Sequence, residues 1–236
     1  MPPRQHGHHR ADRPHAAPPA AGDGPRLRHP PGVTSVRSDA LSRRKLGLAD
    51  IADVRAYERE RDEFRPHVIE LKRRRRVHLG TIVTLVFENR DTIRFQIQEM
   101  ARVEKLTTDA EIQIELDTYN PMVPEPGQLC ATMFLELTSD EQMREWLSKL
   151  VNVENSVLLD LANGDSVRAV VDEQHQEGLT RDHVTAAVHY LRFELTDAQV
   201  ESFATGPVSI RIDHPDYLEV TQLSDTAHAE LLADLR

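Results

Sequence analysis

Five consecutive cations, Lys72 to Arg76, form the densest charge run in the sequence. Such a run could clamp phosphates or a carboxylate-rich partner, since guanidinium groups bind both. It would equally complement the orphan carbonyls at a helix C-terminus and pair with acidic groups of the same domain. His189 alternates in phase with Leu191, Phe193 and Leu195, whereas Tyr190, Arg192 and Glu194 share the opposite phase. In a strand, His189 then points inward if the apolar face is buried. It could serve as a general base or metal ligand, or simply as a core histidine satisfied by a backbone carbonyl. Glu104 falls at helical spacing from Ile97 and Ile93. A carboxylate there must be paired or protonated, and Arg90, projecting from the same side, is its expected partner. Arg90, Arg94, Glu104, Tyr119, His189 and Arg192 would make a polar ligand pocket if the fold gathers them.

Other candidates are weaker. Cys130 has no base placed near it by the sequence, and Glu111 and Glu115 lack the Glu-x-x-His companion of a di-iron bundle. His175, His183, His189 and His214 show no metal-ligand spacing, so no metal site is expected. Walker, nucleophile-elbow and dinucleotide fingerprints are missing from the sequence, which argues against those common chemistries.

Positioning these groups falls to a recognisable series of elements. Ile51, Val54, Tyr57, Phe64, Val68 and Leu71 recur at steps of three and four, interrupted by Arg61, and predict a long helix with a kink or break at Pro66. Period-two alternation predicts strands over 83–87, 129–138 and 208–212, with 184–195 the longest. A central helix is expected over 91–106. Capping boxes at Thr108/Glu111, Ser139/Gln142 and Thr196/Gln199 announce three more helices. Asn163-Gly164 predicts a hairpin joining 157–161 to 167–171, and Leu231, Leu232 and Leu235 mark a terminal helix. Helices early and strands late, without βαβ alternation, favour an α+β domain with a largely antiparallel sheet packed by helices.

Composition sets the boundaries. Residues 1–45 hold eight of fourteen prolines and nine Lys or Arg against three Asp, a net charge of +6 that leaves −16 for the rest. So few large apolar residues cannot offset the entropy of ordering a backbone, and a disordered tail is expected over 1–45, followed by one domain over 46–236. An alternative start at Val33 would account for the Pro-, Arg- and Ala-rich leader. A lone cysteine fits a reducing cytoplasm. Acidic excess in the folded part argues against general nucleic-acid binding, and no apolar run is long enough to span a membrane.

Five segments carry a family likeness: Arg55 to Phe64 (RAYERERDEF), Leu85 to Met100 (LVFENRDTIRFQIQEM), Glu115 to Pro121 (ELDTYNP), Ala187 to Phe193 (AVHYLRF) and Asp213 to Tyr217 (DHPDY). Together they resemble the bacterial domain of unknown function 3501 family over about residues 45–236. The resemblance brings no catalytic residues. Because members are often encoded beside rubrerythrin-like and iron–sulfur proteins, it implies a role around peroxide or redox metabolism, with such a protein as partner. Two functions are therefore expected to compete: a non-catalytic accessory or partner-binding protein, and a small-ligand binder or enzyme using the six-residue polar pocket.

Overall fold

The computed structural model describes residues 44–171 and 184–236. Of the expected tail, residues 1–43 lie outside the described residues. Its last two positions belong to the fold: Arg44 Nη1 donates to the Asp234 carbonyl at 2.7 Å, and Lys45 Nζ donates to the carbonyls of Asn120 and Val123 at 3.0 and 2.6 Å.

The long apolar stripe forms α1 (Val54–Arg74), capped by Asp53, whose carboxylate accepts from Ala56 N. No break occurs at Pro66. This residue is exposed, and so is Asp62, whose carbonyl loses its helical donor and can turn to water instead. Arg61, the interruption in the stripe, donates through Nε to Glu99 at 2.7 Å, and Tyr57 Oη donates to the same carboxylate at 2.7 Å. Those bonds, Arg61 first, hold Glu99 at about 2 and lock α1 onto α2 (Arg90–Glu104).

β1 (Arg76–Leu79) and β2 (Val83–Glu88) form a hairpin; β3 (Gln128–Leu135) follows α3 (Asp109–Tyr119) and a 3₁₀ turn over Asn120–Met122. After α4 (Asp140–Lys149) come β4 (Val157–Asp160), β5 (Ser166–Arg168), β6 (Val170–Val171) and β7 (Val188–Glu194). α5 (Asp197–Thr205), β8 (Ser209–His214), β9 (Tyr217–Gln222) and α6 (Asp225–Leu235) complete the described chain. The α+β expectation holds, with two antiparallel sheets rather than one: β1-β2-β3-β7-β6 and β5-β4-β8-β9. The predicted hairpin is present, with Leu159 opposite Val167 and Gly164 at φ +90°, but its return strand divides, β5 staying in the smaller sheet and β6 crossing to the larger. The stretch expected as the longest strand begins only at Val188, because Thr185 N turns aside to donate to the Leu147 carbonyl.

One apolar core joins one face of the larger sheet (Leu85, Phe87, Met133, Phe193) to the smaller sheet (Leu159, Ile210, Ile212) and to α5 and α6. On the opposite face a second cluster holds Ile93, Ile97, Leu116 and Cys130, so the central strands are covered on both sides. Tyr217 ties the sheets together: its Oη donates to the Leu79 carbonyl at 2.6 Å and accepts from Ile82 N at 3.2 Å. The intervening Gly80, at φ +64°, leaves room for that phenol, since a Cβ there would collide with Tyr217 Oη and the Glu219 carboxylate. Among the described residues no helix is long and apolar enough to cross a membrane.

All five cations of the basic run meet carboxylates. Lys72 faces Glu88 at 3.7 Å, Arg73 meets Glu70 at 2.7 Å, Arg74 meets Glu230 at 2.8 Å and Arg76 faces Glu136 at 3.7 Å. Arg75, 1% exposed, pairs with Asp234 and Glu230 and donates to the carbonyls of Phe87 (2.9 Å) and Glu88 (3.2 Å). Removing one partner of a buried pair typically costs about 3–5 kcal/mol. Arg75→Met is therefore expected to lose about that much in urea denaturation, whereas Arg73→Met, at an exposed pair, should leave the midpoint within experimental scatter.

Candidate functional site

The six residues proposed as a polar pocket fall in several places. Arg90 Nη2 meets Asp50 Oδ1 at 2.5 Å; Arg94 donates to the Asp50 carbonyl at 2.8 Å and to Glu60 at 2.7 Å while stacking over Phe64 at 4.8 Å. Both thus anchor the turn over Leu48–Asp50 and α1. Glu104 does not pair with Arg90. It is the last residue of α2, exposed beyond the core, and the groups that feel its charge are Glu115 and Tyr119 of α3. Burial and then Glu104 raise Glu115; burial raises Tyr119, with a hydrogen bond from Gln96 opposing it. His189 and Arg192 occupy opposite faces of β7. Arg192 aligns with Cys130 and bonds Glu194 at 3.0 Å, whereas His189 aligns with Met133 on the face toward the smaller sheet.

Two polar clusters remain, one on each face of the larger sheet. On the helix-covered face, the strand registers align Glu88, Cys130 and Arg192 in one row and Val86, Thr132 and Tyr190 in the next. Glu88 is 4% exposed; its Oε1 accepts from Thr132 Oγ1 at 2.8 Å, and its Oε2 accepts no hydrogen bond among the described residues. Burial, Tyr119 and Glu88 push Tyr190 up to about 12, so its hydroxyl keeps its proton and can donate to an acceptor. Burial also lifts Cys130 to about 12, which removes it as a nucleophile. Sequence alternation shows the Glu88 face as polar, but not that helices cover it.

On the other face, His189 Nε2 lies 2.9 Å from the Ala186 carbonyl and 3.0 Å from Thr185 Oγ1, with Nδ1 3.9 Å from Glu154 Oε2. All three side chains are buried. A carbonyl can only accept, so Nε2 carries a proton and is not free to take one from Thr185. The arrangement is an internal hydrogen-bonded cluster, the plainer of the two roles open to a strand histidine. His214, likewise buried, bonds the Val151 carbonyl at 3.2 Å; His175 and His183 lie outside the described residues. No three His, Cys, Asp or Glu side chains among the described residues stand ready to hold a metal ion.

The family model for proteins of unknown function designated DUF3501 matches residues 45–235. The chain belongs to the DUF3501 family. A crystal structure titled as a novel protein of unknown function, from Burkholderia pseudomallei K96243, is similar to it at 38% identity, with a TM-score of 0.75 over 81% of this chain and all of that one. No curated protein matches the chain.

Two outcomes test the buried chemistry of this DUF3501 domain. Burial is the main cause that lowers His189, with Glu154 and the Ala186 carbonyl opposing it. The unfolded state therefore takes up its proton first, and this contribution to stability is complete above about pH 6.5 and falls as the pH drops through and below that value. Urea denaturation should show His189→Gln destabilised by about 1–3 kcal/mol at pH 7.5, with a shallower loss than wild type between about pH 6.5 and 5. The Cys130 thiol should stay silent to Ellman's reagent in the native protein and react stoichiometrically in denaturant.

Proposed function

We propose that this DUF3501 domain is a non-catalytic accessory protein that works by binding a partner in a cytoplasmic redox or peroxide-response system. The observation that supports this is where its reactive and charged groups are engaged. The basic run, Arg90 and Arg94 hold carboxylates of the same chain, and Cys130 and His189 are buried. Among the residues that the fold leaves exposed are large apolar ones. Leu218 and Val220, 68% and 57% exposed, stand two residues apart on β9, in the same register as Asp213 and Arg211 of β8. Apolar side chains on an outer strand favour unwanted association in a solitary protein and serve as anchors in an assembled one. The partner class, an iron–sulfur or rubrerythrin-like protein, follows from the family resemblance.

A small-ligand or enzymatic role has one observation in its favour, the buried Glu88 carboxylate with an unbonded oxygen near Lys72, Tyr190 and Arg192. Of the six pocket residues, Tyr119 and Arg192 belong nearest to that cluster.

The accessory reading is tested by affinity isolation of the tagged full chain from its host, with quantitative mass spectrometry. An iron–sulfur or rubrerythrin-like protein should be enriched at least about tenfold over a tag control, and Leu218→Asp with Val220→Asp should abolish the enrichment while preserving the melting temperature. A clean isolation that lacks both partner classes overturns it.

A further inference from the structure

Four strands end the two sheets, and three of them are protected. β6 holds two residues, β5 holds three with Arg168 among them, and the His78 carbonyl on β1 accepts from Thr221 Oγ1 at 2.9 Å. Shortness, charge and cover are the usual defences of an edge against strand addition. The fourth edge, β9, is six residues long, and its one charge, Glu219, shares the face of Tyr217 and reaches toward Gly80.

Leu223 N donates to the Val208 carbonyl at 2.9 Å, and the register sets these two residues opposite each other, one step beyond the Ser209–Gln222 pair. Hydrogen-bonded and non-hydrogen-bonded pairs alternate along an antiparallel ladder. Tyr217, Glu219 and Thr221 therefore turn their N–H and carbonyl groups toward β8, and Leu218, Val220 and Gln222 turn theirs away from it. No loop or turn backbone among the described residues bonds to those outward groups. The same three residues are the exposed ones of the strand.

This edge is also complementary to itself. Antiparallel pairing about a two-fold axis at Val220 sets Val220 against Val220, Leu218 against Gln222 and Glu219 against Thr221, all within the two strands. With the axis one residue earlier, Glu219 would oppose Glu219, a destabilising like-charge pair. With the axis one residue later, Leu218 would oppose Ser224, past the strand end. Behind the seam Arg211 is held by Asp160 at 2.8 Å and Asp213 at 3.2 Å, so β8 brings no unpaired cation to it.

We infer that β9 pairs with β9 of a second copy of this chain about a two-fold axis at Val220, joining two four-stranded sheets across one seam. An isologous contact of this kind closes as a dimer. Its hydrogen bonds are main-chain, and the side chains of Leu218 and Val220 from both copies stay on the outer face, gathered into one patch. The dimer thus leaves that face to a partner and does not depend on the partner-binding reading.

A six-residue seam falls at the low end of interface sizes, where association is weak and reversible. Sedimentation equilibrium of the full chain from about 5 µM to about 1 mM should show the weight-average mass rising from one chain toward two. Val220→Lys and Val220→Glu each meet their own charge across the axis, so each alone should weaken dimerisation about tenfold. Their equimolar mixture should recover wild-type association, because lysine then faces glutamate, and Val220→Ile should keep it throughout. Circular dichroism checks that every variant is folded. A mass that stays at one chain up to about 1 mM, wild-type association of either charged variant alone, or a mixture no tighter than its components would overturn the inference. Failure to isolate a redox partner would leave these readouts unchanged.

Discussion

A guanidinium buried to 1% exposure organises much of this molecule. Arg75 follows the last residue of α1 and precedes β1, so its place in the chain is where a helix must turn into a strand. An ion taken out of water costs several kcal/mol unless its donors are met from several directions. Here they are met by two β2 carbonyls and by Glu230 and Asp234 of α6. Asp234 is itself raised by burial, with Arg75 acting against that rise, so each partner makes the other's burial tolerable. The C-terminal helix is thereby fixed to the first helix and to the centre of the larger sheet, and Arg74 reinforces the contact through Glu230.

From that anchor the two faces of the larger sheet take different characters. The face toward the smaller sheet is mainly aliphatic and aromatic, with Phe87 and Phe193 rings 6.2 Å apart, and takes in a buried polar cluster of His189, Thr185 and Glu154. The face toward the helices mixes Ile93 and Ile97 with Glu88, Thr132 and Tyr190. Strand alternation makes this possible, because one residue type per phase can be assigned to each covering layer. Glu88 stays buried at acceptable cost since Thr132, across the ladder, supplies a hydroxyl donor and Lys72 reaches in from α1.

Local physics was legible from the residues. Capping boxes at Thr108 and Thr196 form as their spacing requires, Ser139 caps its helix, and the Asn163-Gly164 turn closes its hairpin. The α+β class followed from the same local signals. What escaped was tertiary. The alternation of a strand does not say what covers its polar face, so nothing in it shows that Glu88 is buried. Glu104 lies in angular phase with Ile97, but angular phase does not say where along its axis a helix leaves the core, and Glu104 lies beyond that point. Pro66 carries a strong local signal for a break; on an exposed helix face water can take the freed carbonyl, and the helix continues. The six-residue pocket failed to gather for a similar reason, since Arg90 and Arg94 found carboxylates close to their own helix.

The buried polar groups on the two faces also bear on register. A one-residue slip of β7 against β3 would drive Tyr190 and Arg192 into the apolar layer and turn His189 toward the helices. In the observed register His189 meets the Ala186 carbonyl and Arg192 keeps its guanidinium partly in solvent beside Glu194. The slipped register would leave an arginine charge without partners in a hydrocarbon layer, a cost far above that of any lost aliphatic contact. An all-aliphatic β7 would bury more apolar area yet discriminate less between the two pairings. Groups that contribute little net stability in place can therefore determine which strand pairing is the native one.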